Sequence, residues 1–216
     1  LNTVTFHGYL LLAPGLKKSD SCYVSFFTRN YGRVKLFASH SRKKYSSLSL
    51  LRQPFIFFLV SARGREGLYY PQEVGVEYSF SALTYQWHVY KMGLFILGLQ
   101  QEILVPDDIS PRVYWGFLAL CRNLSQHYSP VAKTLLVLRF SVFLVSELGF
   151  DRESICRTFE KLPEFTVQEC RYLRAIIIYK QYPPSLNEES ARLLLLKTRT
   201  AWEYLFDTPL KSYNYL

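Results

Sequence analysis

The chain has 216 residues with 26 Lys+Arg against 17 Asp+Glu, a formal charge of +9, and its 49% apolar content is enough for a packed core, which excludes a mainly disordered polymer. The longest uncharged apolar runs, 92–101 and 54–62, are about half of what a membrane-spanning helix needs, and Arg139 interrupts the most apolar stretch, so no transmembrane helix is expected. The sequence starts at Leu1 without a cationic region, apolar run and small-residue cleavage site, so no secretory signal and a cytoplasmic location are expected.

In chain order, the first 80 residues read as strands. Segments 3–12, 21–29, 33–39, 53–61 and 68–80 are rich in Val, Phe, Tyr, Leu and Thr. Turn-type residues separate them: Pro14-Gly15, Asn30-Tyr31-Gly32, the polar stretch 39–49, and Arg63-Gly64-Arg65-Glu66-Gly67. Five short strands are the count of an OB-fold barrel, although the count alone also fits an SH3-like barrel or a small sandwich. From Ser81 the signals become helical. Ser110-Pro111 and Ser129-Pro130 each put a capping hydroxyl before a proline suited to the first helical position. Thr166 to Glu169 and Ser185 to Glu188 have capping-box spacing, and Gly149 follows a helix end. Helices are predicted at 82–102, 111–126, 130–148, 166–181 and 187–206, with a weaker piece at 152–161. Strands followed by helices make an α+β protein, with a barrel domain at 1–80 and an all-helical domain at 81–216.

The charge is uneven. Residues 1–80 hold 11 Lys+Arg and 4 Asp+Glu, and the stretch 17–52 alone carries nine cations and one acid, Asp20. Local asymmetry of this kind is the footprint of a polyanion, nucleic acid or anionic lipid, or else a basic surface with no partner.

Strand alternation sharpens the first possibility. In 22–27, Cys22, Val24 and Phe26 share one face and Tyr23, Ser25 and Phe27 the other; in 33–38, Val34, Leu36 and Ala38 oppose Arg33, Lys35 and Phe37. The first set makes a barrel interior. The second places Tyr23, Phe27 and Phe37 beside Arg33 and Lys35, the combination that holds bases by stacking and phosphates by charge, unless the helical domain covers those rings. The loop with Arg42, Lys43 and Lys44 is a phosphate-contact candidate, with a plain solvated loop as the alternative.

Enzyme signatures are missing. Gly15-Leu16-Lys17-Lys18-Ser19 lacks the spacing of a phosphate loop, the four histidines stand singly, and Asp107-Asp108 precede a helix start, where they favour its positive end. No active site and no cofactor are expected. The cysteines at 22, 121, 156 and 170 form no close pair and are expected as reduced thiols. Arg139 sits in a helix apolar nearly all round, with no acid three or four positions away, so its partner must come from another element or from an acidic ligand.

Taken in order, Ser19-Asp20-Ser21, the run Phe27-Thr28-Arg29-Asn30-Tyr31-Gly32-Arg33-Val34-Lys35, the basic Arg42-Lys43-Lys44, Leu51-Arg52-Gln53-Pro54-Phe55, Leu138-Arg139-Phe140, Glu147-Leu148-Gly149-Phe150 and Pro209-Leu210-Lys211-Ser212 resemble the bacterial recombination mediator RecO family. The resemblance implies an OB-fold followed by helices, binding to single- and double-stranded DNA, strand annealing, and association with RecR. It also implies help in placing RecA on DNA coated by single-strand-binding protein (SSB), without nucleotide hydrolysis. On this resemblance Arg29 joins Arg33, Lys35, Arg42, Lys43, Lys44, Tyr23, Phe27 and Phe37 as a DNA-binding candidate. Arg139 matches an arginine of the region that docks the acidic, Phe-ended SSB tail, with Arg122 and Lys133 as further cations on neighbouring helices. Many members carry a four-cysteine zinc site after the Leu-Gly-Phe helix. Here only Cys156 and Cys170 remain, so no zinc is expected. Two other readings are an OB-like protein-interaction scaffold and an RNA-binding barrel.

Overall fold

The computed structural model describes residues 2–11, 22–38, 50–65, 67–106 and 109–216. Five strands, β1 (Asn2–Leu10), β2 (Cys22–Thr28), β3 (Gly32–Ala38), β4 (Ile56–Arg65) and β5 (Leu68–Ser79), close a barrel in the order β1-β2-β3-β5-β4. All pairs are antiparallel except β3 with β5, which run parallel. This is the five-stranded OB fold. Alternation fills the interior: Phe6, Leu10, Val24, Phe26, Val34, Leu36, Phe58, Val60 and Tyr69 are buried together inside the barrel.

The fourth strand is longer than the sequence signals predict. Residues 63–65 were expected in a turn, but they pair in β4 with Leu68 to Tyr70. Gly64 serves a close strand approach rather than a bend, since a Cβ there would stand 2.1 Å from the Leu68 carbonyl oxygen. Gly67, just before β5 begins at Leu68, has φ +76°.

Six α-helices follow a short 3-10 turn at Ser81–Tyr85: α1 (Trp87–Ile103), α2 (Pro111–Leu124), α3 (Pro130–Glu147), α4 (Arg152–Lys161), α5 (Val167–Ile177) and α6 (Glu188–Phe206). The caps are those the sequence signals. Ser110 Oγ accepts from the Val113 amide at 3.3 Å, Ser129 Oγ from Ala132 at 3.2 Å, and Thr166 with Glu169 forms a full capping box. The piece predicted at 152–161 is a regular helix with those bounds, capped by Asp151. One cap differs: α6 is capped by Asn187, whose Oδ1 accepts from the Ser190 amide at 2.8 Å, rather than by a box from Ser185. Helix α3 packs against α1, α2 and α6, which explains why it is apolar nearly all round.

The barrel and the helices share one core. Tyr9, Phe27 and Phe57 point out of the barrel and are fully buried against α1 and α2. The Tyr9 ring lies 4.6 Å from that of Phe117, Phe57 lies 5.6 Å from Tyr114, and the Tyr9 hydroxyl donates to Gln100 Oε1. No helix among the described residues is long and apolar enough to cross a membrane.

Candidate nucleic-acid interface

The outer face of β2 and β3 divides into two halves, because register pairs Tyr23 with Phe37, Ser25 with Lys35, and Phe27 with Arg33. Its rings differ in what covers them. Phe27 is fully buried, its ring 5.8 Å from Tyr9 in the core shared with the helices, so the expectation that it stacks on bases is corrected. Tyr23, at the other end, is 54% exposed. Phe37 is half-buried between Tyr23 at 5.1 Å and Tyr70 of β5 at 5.6 Å, ring centre to ring centre. Three aromatic side chains therefore sit side by side on the open half. Tyr70 escaped the sequence reading because only the parallel β3–β5 pairing, which no local signal reveals, brings it next to Phe37.

The charged partners are also divided. Lys35 is exposed between the rings and the covered half. Arg33 is half-buried: its Nη1 donates to the Gln101 carbonyl at 2.6 Å, near the end of α1, and its amide donates to the Pro106 carbonyl at 2.9 Å. Burial pulls its guanidinium below the ordinary arginine pKa. A guanidinium at a helix C-terminus satisfies a carbonyl the helix leaves unpaired, so Arg33 first ties barrel to helix. It still lines, with Tyr23, Ser25, Lys35, Leu68 and Gln101, a groove of about 770 Å³ between the barrel and the end of α1. Arg29 stands apart in the β2–β3 turn, its guanidinium carbon 5.7 Å from the ring centre of the half-exposed Trp115 on α2. Arg42, Lys43 and Lys44 lie outside the described residues.

The second candidate site is on the helical domain. Arg139 is neither buried in apolar surroundings nor paired with a carboxylate among the described residues. Its Nη1 donates to the Tyr182 hydroxyl at 3.2 Å, with the guanidinium carbon 5.9 Å from that ring's centre. It stands with Arg152 and Lys180 around a cavity of about 340 Å³ whose apolar wall includes Phe140, Phe143 and Ile176. Lys133 does not belong here. It is 5% exposed at the start of α3, and its Nζ donates to Gln86 Oε1 at 3.0 Å, toward the start of α1. Arg122 is exposed in the last turn of α2, where its charge meets the helix's negative end, and it is not part of the cavity lining.

Zinc does not fit the residues present between α4 and α5. Burial pushes the Cys156 thiol up to about 11, and Arg174, beside it, bridges Glu153 at 2.6 Å and Glu160 at 3.2 Å. A guanidinium thus stands where a metal would need further donors. Among the described residues no three His, Cys, Asp or Glu side chains are grouped to share an ion.

Residues 8–80, the barrel apart from the first part of β1, match the family described as recombination protein O N terminal. No curated protein matches the chain.

Proposed function

We propose that this chain, whose N-terminal barrel belongs to the recombination protein O family of DNA recombination and repair proteins, is a non-enzymatic mediator that binds single- and double-stranded DNA and anneals strands. One observation carries the reading: the open half of the barrel's outer face presents Tyr23, Phe37 and Tyr70 side by side, with Lys35 adjacent. Aromatic rings hold unpaired bases at about 1–3 kcal/mol each whatever the sequence, and cations hold the backbone. Neutralising phosphates on two strands lowers their mutual repulsion, so the same surface favours annealing. Arg42, Lys43 and Lys44 supply further charge in this reading.

The helical domain has the complementary task of recruiting the SSB tail. An acidic peptide ending in an aromatic ring needs an apolar pocket rimmed by cations, and Arg139, Arg152 and Lys180 around Phe140 and Phe143 supply that chemistry. RecR and, indirectly, RecA complete the mediator reading as partners, in the cytoplasm with the nucleoid.

The test is a salt series of fluorescence anisotropy with labelled single-stranded DNA. The wild-type chain should bind, with log K falling linearly against log salt, and the Arg42, Lys43, Lys44 triple Gln variant should bind more weakly with a flatter slope. Absence of binding at low salt favours an interaction scaffold; stronger binding of RNA than of DNA of the same sequence favours the RNA reading.

A further inference from the structure

The helical domain is nearly neutral in sum, yet one of its faces is basic. Helix α2 contains no acid, and after Pro111 its exposed positions are Arg112, Trp115, Ala119 and Arg122. Their spacing of three, four and three residues sets them in one stripe, about 15 Å long at 1.5 Å per residue. Arg29 reaches this stripe from the β2–β3 turn. Its guanidinium carbon lies 5.7 Å from the Trp115 ring centre, and its Nε donates to Asn30 Oδ1 at 3.3 Å. The Trp115 indole stands edge to face against Tyr114, 5.2 Å between ring centres. It stays 46% exposed on a helix that buries Val113, Tyr114, Phe117 and Leu118. Arg112 bridges Glu147 at 3.0 Å with its side chain still 77% exposed. A large ring left open among cations, on a face without acids of its own, is a binding surface rather than packing.

We infer that the outward face of α2 is a contact for a second single strand of nucleic acid, with a base stacked on Trp115 and the backbone held by Arg29 and Arg122. One chain then carries two strands, one on the rings of the barrel and one on the helical domain. The inference rests on the DNA-binding reading above and extends it to residues outside the barrel. Two surfaces rather than one follow from β2. Tyr23 and Arg29 are six residues apart along it, about 20 Å of extended chain, and Phe27 between them is buried under the helices. The chemistry of the α2 face selects the ligand. An indole that already takes a flat guanidinium against its ring offers the same kind of surface to a base, while the arginines, charged at any physiological pH, suit phosphate oxygens. An acidic peptide instead needs an apolar pocket, and the Arg139 cavity, which Ala119 borders, includes none of Arg29, Arg112, Trp115 and Arg122 in its lining. Two strands tethered to one chain meet at a raised local concentration, which speeds their pairing.

The experiment titrates the full chain with a short fluorescein-labelled oligothymidylate by anisotropy, across salt concentrations, and measures the annealing rate of two complementary labelled oligonucleotides. The variants are Trp115→Ala, Trp115→Leu and the double variant Arg29→Gln, Arg122→Gln. Tyr23→Ala reports on the barrel rings, and Arg192→Gln on α6 is a remote charge control. Thermal melts check that each variant folds; Trp115→Leu keeps apolar bulk against Tyr114, so it carries the test if Trp115→Ala melts early. The wild-type chain should take up two equivalents. Both Trp115 variants should keep the first and bind the second at least about fivefold more weakly, the low end of one base stack, and anneal more slowly in proportion. The double arginine variant should lower the salt slope of the second equivalent by about 1.4, two phosphates at about 0.7 each on a single strand. If the wild-type chain binds a single equivalent, or the Trp115 variants bind two and anneal like wild type, the second contact is refuted and the DNA reading stands. If these variants instead lose an acidic, Phe-ended peptide and bind DNA normally, the face belongs to peptide docking and the inference is overturned. If the wild-type chain binds no oligonucleotide at low salt, the DNA reading itself fails and the second contact with it.

Discussion

Phe27 and Tyr23 lie four residues apart on the same face of β2, yet truncating them should have opposite consequences. Phe27 is fully buried where the barrel meets the helices, in a core with Tyr9, Phe57, Tyr114 and Phe117. Phe27→Ala removes a ring from a site walled on one side by strands and on the other by α2, neither of which can collapse freely onto the gap. Large-to-small changes of this kind cost about 3–5 kcal/mol, the transfer of the ring plus the cavity left behind. For a chain of this length each kcal/mol lowers the melting temperature by about 2–4 °C, so the midpoint should fall by about 6–20 °C. Tyr23→Ala, removing a ring that is 54% exposed, should leave the midpoint within about 2 °C, since exposed substitutions stay within about 0.5 kcal/mol. Circular dichroism melts of both variants, paired with anisotropy at a temperature where both are folded, separate the roles. A Phe27→Ala protein that melts like wild type but binds single-stranded DNA more weakly would show that the ring is free and that the helices do not cover it.

The Arg139 cavity predicts that a fluorescent peptide with an acidic, Phe-ended tail binds the wild-type chain and is captured at least tenfold less by Arg139→Ala, with Lys133→Gln unchanged; equal capture by Arg139→Ala would refute docking there. Glu169 makes part of the stability acid-sensitive. Burial pushes its carboxyl up, but the Lys197 ammonium at 2.6 Å and the Thr166 amide at 2.8 Å prevail and hold it below the usual carboxylate range. That contribution is present above the ordinary glutamate pKa and is lost as pH falls through the lowered one, so Glu169→Gln should flatten the fall in melting temperature on acidification below about pH 5. Gly64→Ala should destabilise by about 1–3 kcal/mol or more in urea titration, because its Cβ would meet the Leu68 carbonyl oxygen at 2.1 Å. Cys121 and Cys156 are buried with thiols raised by desolvation, so residue-resolved alkylation at neutral pH should label them only after denaturant is added.

Local patterns carried the elements well and their surroundings poorly. The number of strands, the helix starts at Ser110, Ser129 and Thr166, and the inward set Val24, Phe26, Val34 and Leu36 follow from alternation and capping chemistry, which act within a few residues. Alternation assigns a side chain to a face but says nothing of what lies on that face, so Tyr23 and Phe27 looked alike. The glycines at 64 and 67 looked alike too, though one admits a crossing strand and the other a positive φ, which kept Arg63 and Arg65 out of view as strand residues. Tyr70 and the trio Arg139, Arg152 and Lys180 are brought together by pairing and packing over long sequence separations, which no single-sequence signal encodes. Lys133 misled because its charge was visible and Gln86, its hydrogen-bond partner 47 positions away, was not.

Among the described residues, the ladder that closes the barrel is the shortest. β3 and β5 meet through two register pairs, Lys35 with Leu68 and Leu36 with Tyr69, plus the Lys35 amide on the Gly67 carbonyl at 2.7 Å, against eight or more pairs on either side of β4. Few shared hydrogen bonds make this the seam where the cylinder breathes first, so the β3 amides that face it should exchange with deuterium before those facing β2. Phe37 and Tyr70 stand on opposite lips of that seam. Anything bound across both rings would act as a suture, slowing exchange at Lys35 and coupling occupancy of the surface to the integrity of the barrel beneath it.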